Sequence, residues 1–158
     1  MRCFTVVHSN TESPLISSKM VWLGNVNDIQ FSQNSIGCKF SNGDSIVQLA
    51  EDYINNRIDL NDLNQMRPIA VIRRSGVLYA MKGNRRLYVY KKLSEYGYLE
   101  DDFIPIRYYH GRFKPFTAIP GQPLIIRGEI DVESEIDDLL SGNTSSSSSS
   151  YGYDEYYY

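Results

Sequence analysis

Two adjacent arginines, Arg85 and Arg86, follow Gly83-Asn84 directly after the apolar run over 77–81. Leu87, Tyr90 and Leu93 recur at helical spacing and predict a helix over 84–96 that opens on those arginines. The amino end of a helix carries unpaired N–H groups and a partial positive charge, so each exposed arginine there costs the helix roughly 0.3–1 kcal/mol. A bound anion reverses that sign. Gly83 lets a ligand approach the backbone, the first N–H groups point outward, and a guanidinium grips phosphate through two parallel hydrogen bonds. The residues Gly83, Asn84, Arg85 and Arg86 therefore form a candidate phosphate site. The competing reading pairs one arginine with a carboxylate and leaves the other in water.

Further residues are candidates for the same ligand. Gln33, Asn34 and Ser35 precede the first expected helix and offer amides and a hydroxyl, although the same residue types also make plain turns. Lys82 adjoins Gly83, Lys39 adds a second cation, and Arg67 stands before Pro68, where it is either a ligand contact or a solvated loop residue. Arg73-Arg74 belong at the far tip of a hairpin. His110, beside Arg107, Arg112 and Lys114, has a general base's chemistry but no neighbouring carboxylate to orient it. Asp101-Asp102 and Asp137-Asp138 are paired acids of the type that holds Mg²⁺ near phosphate, or that simply faces water.

The elements that position these residues follow from pattern. Residues 2–8 and 19–23 suggest short strands, and Ile29 and Phe31 alternate with polar residues in another. The stretch around Asn34 and Gly37 reads as loop, and Asn42-Gly43 as a turn. Ile46, Leu49, Tyr53 and Ile54 predict a helix over 44–57, with Ser45 and Gln48 as a capping box and Asp44 as the rival cap. The runs 68–72 and 77–81 predict a hairpin closed at Ser75-Gly76. Gly97 suits the end of the second helix. A strand over 103–109 is expected at a sheet edge because of Pro105, and a short one over 123–127. Val132, Ile136, Leu139 and Leu140 share one side of an acidic helix over 130–140, which either docks on the core or recruits a partner.

The order strand (PIAVI), turn, strand (VLYAM), GNRR, helix (LYVYKKL) resembles the ParB/sulfiredoxin-like superfamily. ParB-type motifs read G-E-R-R and sulfiredoxins G-C-H-R, and both cradle nucleotide phosphates. The "RPIAV" after the upstream helix and the stretch IQFSQNSIGCKF…NG are similar to divergent members, so the resemblance covers roughly 26–109. It implies an α+β fold, a small mixed sheet packed with helices, and a nucleotide (ATP or CTP, with Mg²⁺) or nucleic-acid backbone as ligand. It also implies phosphoryl transfer or phosphodiester hydrolysis as the reaction class if the domain is active. Asn84 departs from the pattern, standing where the family carries Glu or the reactive Cys. An amide is neither base nor nucleophile, so Arg85 and Arg86 carry over as phosphate ligands while catalysis does not follow from them.

A chain of 158 residues suits one core. The expected organisation is an N-terminal extension over 1–25, the domain over 26–140 and a Ser/Tyr-rich disordered tail over 141–158. A net charge of −3 argues against a broad basic coat for nucleic acid. Cys3 and Cys38 lie far apart and, with His8 and His110, lack zinc-ligand spacing, so no metal site is expected and a reduced cytosolic or nuclear setting fits. No run approaches the roughly 20 apolar residues of a membrane helix. The expectation is a phosphate-ligand domain, possible contacts being Gln33, Ser35, Lys82 and Arg67; the alternative is a non-catalytic protein-interaction module working through 129–140.

Overall fold

The structure is a computed structural model, and it describes residues 20–58, 67–128 and 131–142. The expected strand over 2–8 and the Ser/Tyr-rich segment after 142 lie outside the described residues. Seven strands and three α-helices are formed among the described ones: β1 (Trp22–Asn25), β2 (Ile29–Phe31), β3 (Ser35–Gly37), α1 (Ile46–Ile54), β4 (Ile69–Arg74), β5 (Val77–Lys82), α2 (Asn84–Glu95), β6 (Phe103–Tyr108), β7 (Ile125–Arg127) and α3 (Val132–Ser141). The fold class is α+β.

A five-stranded mixed sheet runs in the order β1-β6-β4-β5-β2, and β3 pairs in parallel with β7 in a small second sheet. The β4–β5 hairpin is antiparallel and turns through Ser75 and Gly76, both at positive φ (49° and 83°), as a two-residue hairpin of right-handed twist requires. β1 pairs antiparallel with β6, so Trp22–Asn25 belongs to the same sheet as the hairpin.

Two expectations are corrected. The stretch around Gly37 is not loop: Ser35–Gly37 forms β3, held by the distant β7, and Ile36 is buried. A three-residue strand containing a glycine has no local signature, because its partner lies about ninety residues on, at Ile125–Arg127. β6 is interior and not an edge. Pro105 is accommodated because the parallel ladder with β4 starts one residue later, at Ile106, and on the other side Pro105 faces Leu23 of β1.

α1 starts at Ser45, whose hydroxyl accepts from the Gln48 N–H at 2.9 Å. The Gln48 side chain does not reach back to complete a capping box; its amide donates to Glu51 and Asp52, at 3.1 Å each. α2 ends as the sequence suggests. Gly97 sits at φ 76°, and the N–H groups of Tyr98 and Gly97 donate to Leu93 and Ser94. Leu87, Tyr90 and Leu93 are buried as expected, and Tyr88 and Val89 are buried with them because α2 is covered by α1 and α3 as well as by the sheet. α3 docks through Val132, Ile136 and Leu140, so the apolar side of the acidic helix is spent inside the fold. Lys92 fastens it, its ammonium lying 2.8 Å from Asp137 and 3.4 Å from Glu133.

Candidate phosphate-binding cleft

The turn from β5 into α2 is made by Gly83, in left-handed conformation at φ 94° and ψ 21°. Glycine is needed there on two counts. Positive φ is costly for an L-residue, and a Cβ would stand 2.9 Å from Ile69 Cδ1 and 3.1 Å from Arg86 Nη2. The Arg86 guanidinium therefore folds over the glycine. Its Nη1 donates to the carbonyl oxygen of Arg67 at 2.7 Å.

Arg85 goes the other way. Successive residues of an α-helix point about 100° apart, and the Arg85 guanidinium lies along β3, where a Cβ on Gly37 would come within 3.3 Å of Nη2. The missing side chain at Gly37 is what gives that guanidinium its place.

Between these two groups opens a cleft of about 720 Å³ whose walls come from β3, α1, the β5–α2 turn and β7. Arg67, Lys82, Arg85, Arg86 and Arg127 line it, against the carboxylates of Asp44 and Asp52. Both acids already have partners: Asp44 accepts from the Asn42 side chain, and Asp52 accepts from Gln48 and from Arg57, each at 3.1 Å. Among the described residues, no carboxylate pairs with Arg85 or Arg86. The reading in which one arginine is neutralised locally is thus not what the fold builds.

Burial pushes the Arg86 guanidinium below its ordinary pKa, and the nearby charges of Arg67 and Arg107 push the same way. A guanidinium in a protein stays protonated, so the physical content is an unrelieved positive charge at half-buried depth. The cleft floor carries Tyr53 and Tyr90, whose hydroxyls are 2.9 Å apart. Burial raises both hydroxyls above the usual tyrosine value, and both stay neutral at physiological pH.

Asn84 has a different task from its neighbours. Its side chain is buried, donates to the carbonyl of Ala80 (3.2 Å) and to Ser32 Oγ (3.3 Å), and accepts from the Ser32 N–H (3.3 Å). Ser32 in turn donates to the Ala80 carbonyl. The amide ties the start of α2 to the loop after β2.

Of the outlying candidates, Gln33, Lys82 and Arg67 line the cleft; Ser35 does not. Lys82 Nζ also sits 5.5 Å above the Tyr109 ring. Arg73 and Arg74 lie at the far hairpin tip, as expected. His110 is exposed and away from the cleft lining. Asp102 accepts from Ser94 and Asp137 is held by Lys92, and among the described residues no three His, Cys, Asp or Glu side chains gather as a metal-ligand group. Sequence reasoning missed Arg127, Gly37 and the tyrosine pair. Arg127 enters through the β3–β7 pairing, which has no local signal, whereas Tyr53 and Tyr90 were visible only as core positions.

No family model, no curated protein and no solved structure matches this chain. No helix among the described residues is long and apolar enough to cross a membrane.

Proposed function

We propose that this domain binds a phosphate-bearing ligand, a nucleotide such as ATP or CTP or a nucleic-acid backbone, at the amino end of α2, in the manner of the ParB/sulfiredoxin-like superfamily. The observation that carries this reading is the pair Arg85 and Arg86: adjacent guanidinium groups at a helix amino end, one half-buried over Gly83, with no carboxylate partner among the described residues. An anion supplies the missing counter-charge and accepts from the free N–H groups of the first helical turn. The cleft has room for a nucleotide.

Binding rather than turnover is the reading the side chains favour. Asn84 occupies the position of the family's acid or thiol and is tied into the fold. Both cleft carboxylates are engaged, so Mg²⁺ would arrive with the nucleotide's own phosphates instead of being held by a prepared protein site. The protein-interaction alternative through 129–140 is weakened because α3 buries its apolar side in this core.

Calorimetric titration of ATP, CTP and pyrophosphate, with and without Mg²⁺, against the wild type and an Arg85→Ala/Arg86→Ala double variant tests the proposal. Saturable binding that the double variant loses is expected. Equal binding by both proteins, or none by either, overturns it.

A further inference from the structure

We propose that a second surface, the cation-and-aromatic ridge made by residues 107–116 across the β4–β5 hairpin, binds single-stranded nucleic acid. This does not rest on the phosphate reading of the cleft. The net charge of −3 hides a segregated molecule: neither 67–94 nor 103–128 contains a single Asp or Glu. The acids lie before residue 63, in 95–102 and from residue 129 onward. The hairpin and the segment that crosses it therefore carry cations and no acid of their own.

Aromatic rings are interleaved with those cations. Tyr79 and Phe116 stack with centroids 4.6 Å apart, Phe113 lies 5.6 Å from Phe116, and Arg74 sits 5.5 Å over the Phe116 ring. Packing of the segment onto the hairpin accounts for Tyr79 and Phe116. It does not account for Phe113, whose surface is 53 % exposed between Arg112 and Lys114. Both flanking cations are exposed and have no carboxylate partner among the described residues.

An exposed ring flanked by unpaired cations is what a strand with accessible bases fits. The ring takes a base face, the cations track the backbone, and the match is tolerant of sequence because every base has a π-face. A duplex offers the same phosphates but hides its base faces, and an acidic polypeptide offers charge without stacking.

The experiment is fluorescence anisotropy with a labelled oligothymidine about 20 nucleotides long, titrated with the full chain over a range of salt. Phe113→Ala is expected to weaken binding roughly 5- to 100-fold while leaving the salt dependence unchanged. Arg112→Ala/Lys114→Ala is expected to weaken binding and to reduce the magnitude of the log–log salt slope by roughly 1.4. Phe113→Trp keeps affinity and its fluorescence is quenched by the strand. Thermal unfolding of each variant checks the fold, which these exposed positions leave intact. The loss caused by Phe113→Ala is expected to be the same in an Arg85→Ala background, which separates this surface from the cleft. The proposal is overturned if no strand binds at low salt, if the Phe113→Ala and Arg112→Ala/Lys114→Ala proteins bind as tightly as wild type, if only Arg85→Ala matters, or if duplex or polyglutamate competes as well as the single strand.

Discussion

The hydroxyl of Tyr53 donates to the hydroxyl of Tyr90 at 2.9 Å, and their rings meet edge to face with centroids 5.6 Å apart. This contact joins α1 to α2 at the floor of the cleft, four residues along the helix from Arg86. A neutral buried hydrogen bond contributes about 0.5–1.5 kcal/mol net. Tyr53→Phe is expected to lower the unfolding free energy by that amount, and the double-mutant cycle with Tyr90→Phe to give a coupling of about 1 kcal/mol. Urea unfolding of the four proteins measures it. Additive losses would mean the two hydroxyls act independently.

Arg85 and Arg86 should behave differently in the free protein although both serve the same ligand. Arg85 lies along Gly37 with no counter-charge and opposes the helix dipole, so Arg85→Ala is expected to leave the melting temperature unchanged or slightly raised. Arg86→Ala removes a donor from the Arg67 carbonyl and is expected to lower it. On ligand affinity the two agree: each loses one set of charge-assisted hydrogen bonds, about 1.5–3 kcal/mol, or roughly 10- to 100-fold. Scanning calorimetry with nucleotide titration separates the two effects.

Local elements were legible because their causes are local. The hairpin closes on Ser75-Gly76, α1 begins at Ser45, and α2 runs from Gly83 to Gly97, each with a cap or turn residue at a fixed offset. What lay hidden was pairing at long sequence separation. β3 exists because β7 reaches it, and that pairing brings Arg127 to the cleft and makes Gly37 a seat for Arg85. Pro105 misled for the same reason: the penalty for its missing N–H depends on where a neighbour's ladder starts, which a single strand's sequence does not record. In the site, residue type announced the arginines, whereas the inward amide of Asn84 depended on Ser32, distant in sequence.

Alkaline titration should expose the buried tyrosines. Burial raises Tyr53, Tyr90 and Tyr88 above their ordinary value of 10.0, so the folded state holds these protons where the unfolded chain releases them. Their stabilising contribution is complete below pH 10 and falls as pH rises beyond it, by about 1.4 kcal/mol per pH unit for each proton held. Although burial opposes it, the hydrogen bond to Asp137 raises Lys92, which acts in the same direction; Lys91, lowered by burial, acts against it. Denaturation midpoints are expected to be flat up to about pH 10 and to decline above it. Tyrosinate absorbance at pH 11 should show fewer ionised tyrosines in folded than in urea-unfolded protein, a difference that Tyr53→Phe/Tyr90→Phe reduces.

Gly83 ties fold and ligand together most directly, and comparison with Gly76 isolates its role. Both have positive φ, 94° and 83°, but a Cβ at Gly76 meets nothing within 4 Å, while one at Gly83 strikes Ile69 and crowds the Arg86 guanidinium. Gly76→Ala is expected to cost only the left-handed backbone penalty, about 1–2 kcal/mol. Gly83→Ala adds overpacking of about 1–3 kcal/mol, because Ile69 is fully buried and cannot retreat without disturbing β4. The guanidinium can move, and moving it breaks the bond to the Arg67 carbonyl that aims it. Gly83→Ala should therefore lose nucleotide affinity beyond what its stability loss explains, when titrated well below its melting temperature, whereas Gly76→Ala should bind as wild type. Equal stability losses in the two variants, or unchanged affinity in Gly83→Ala, would show that the turn serves the chain path alone.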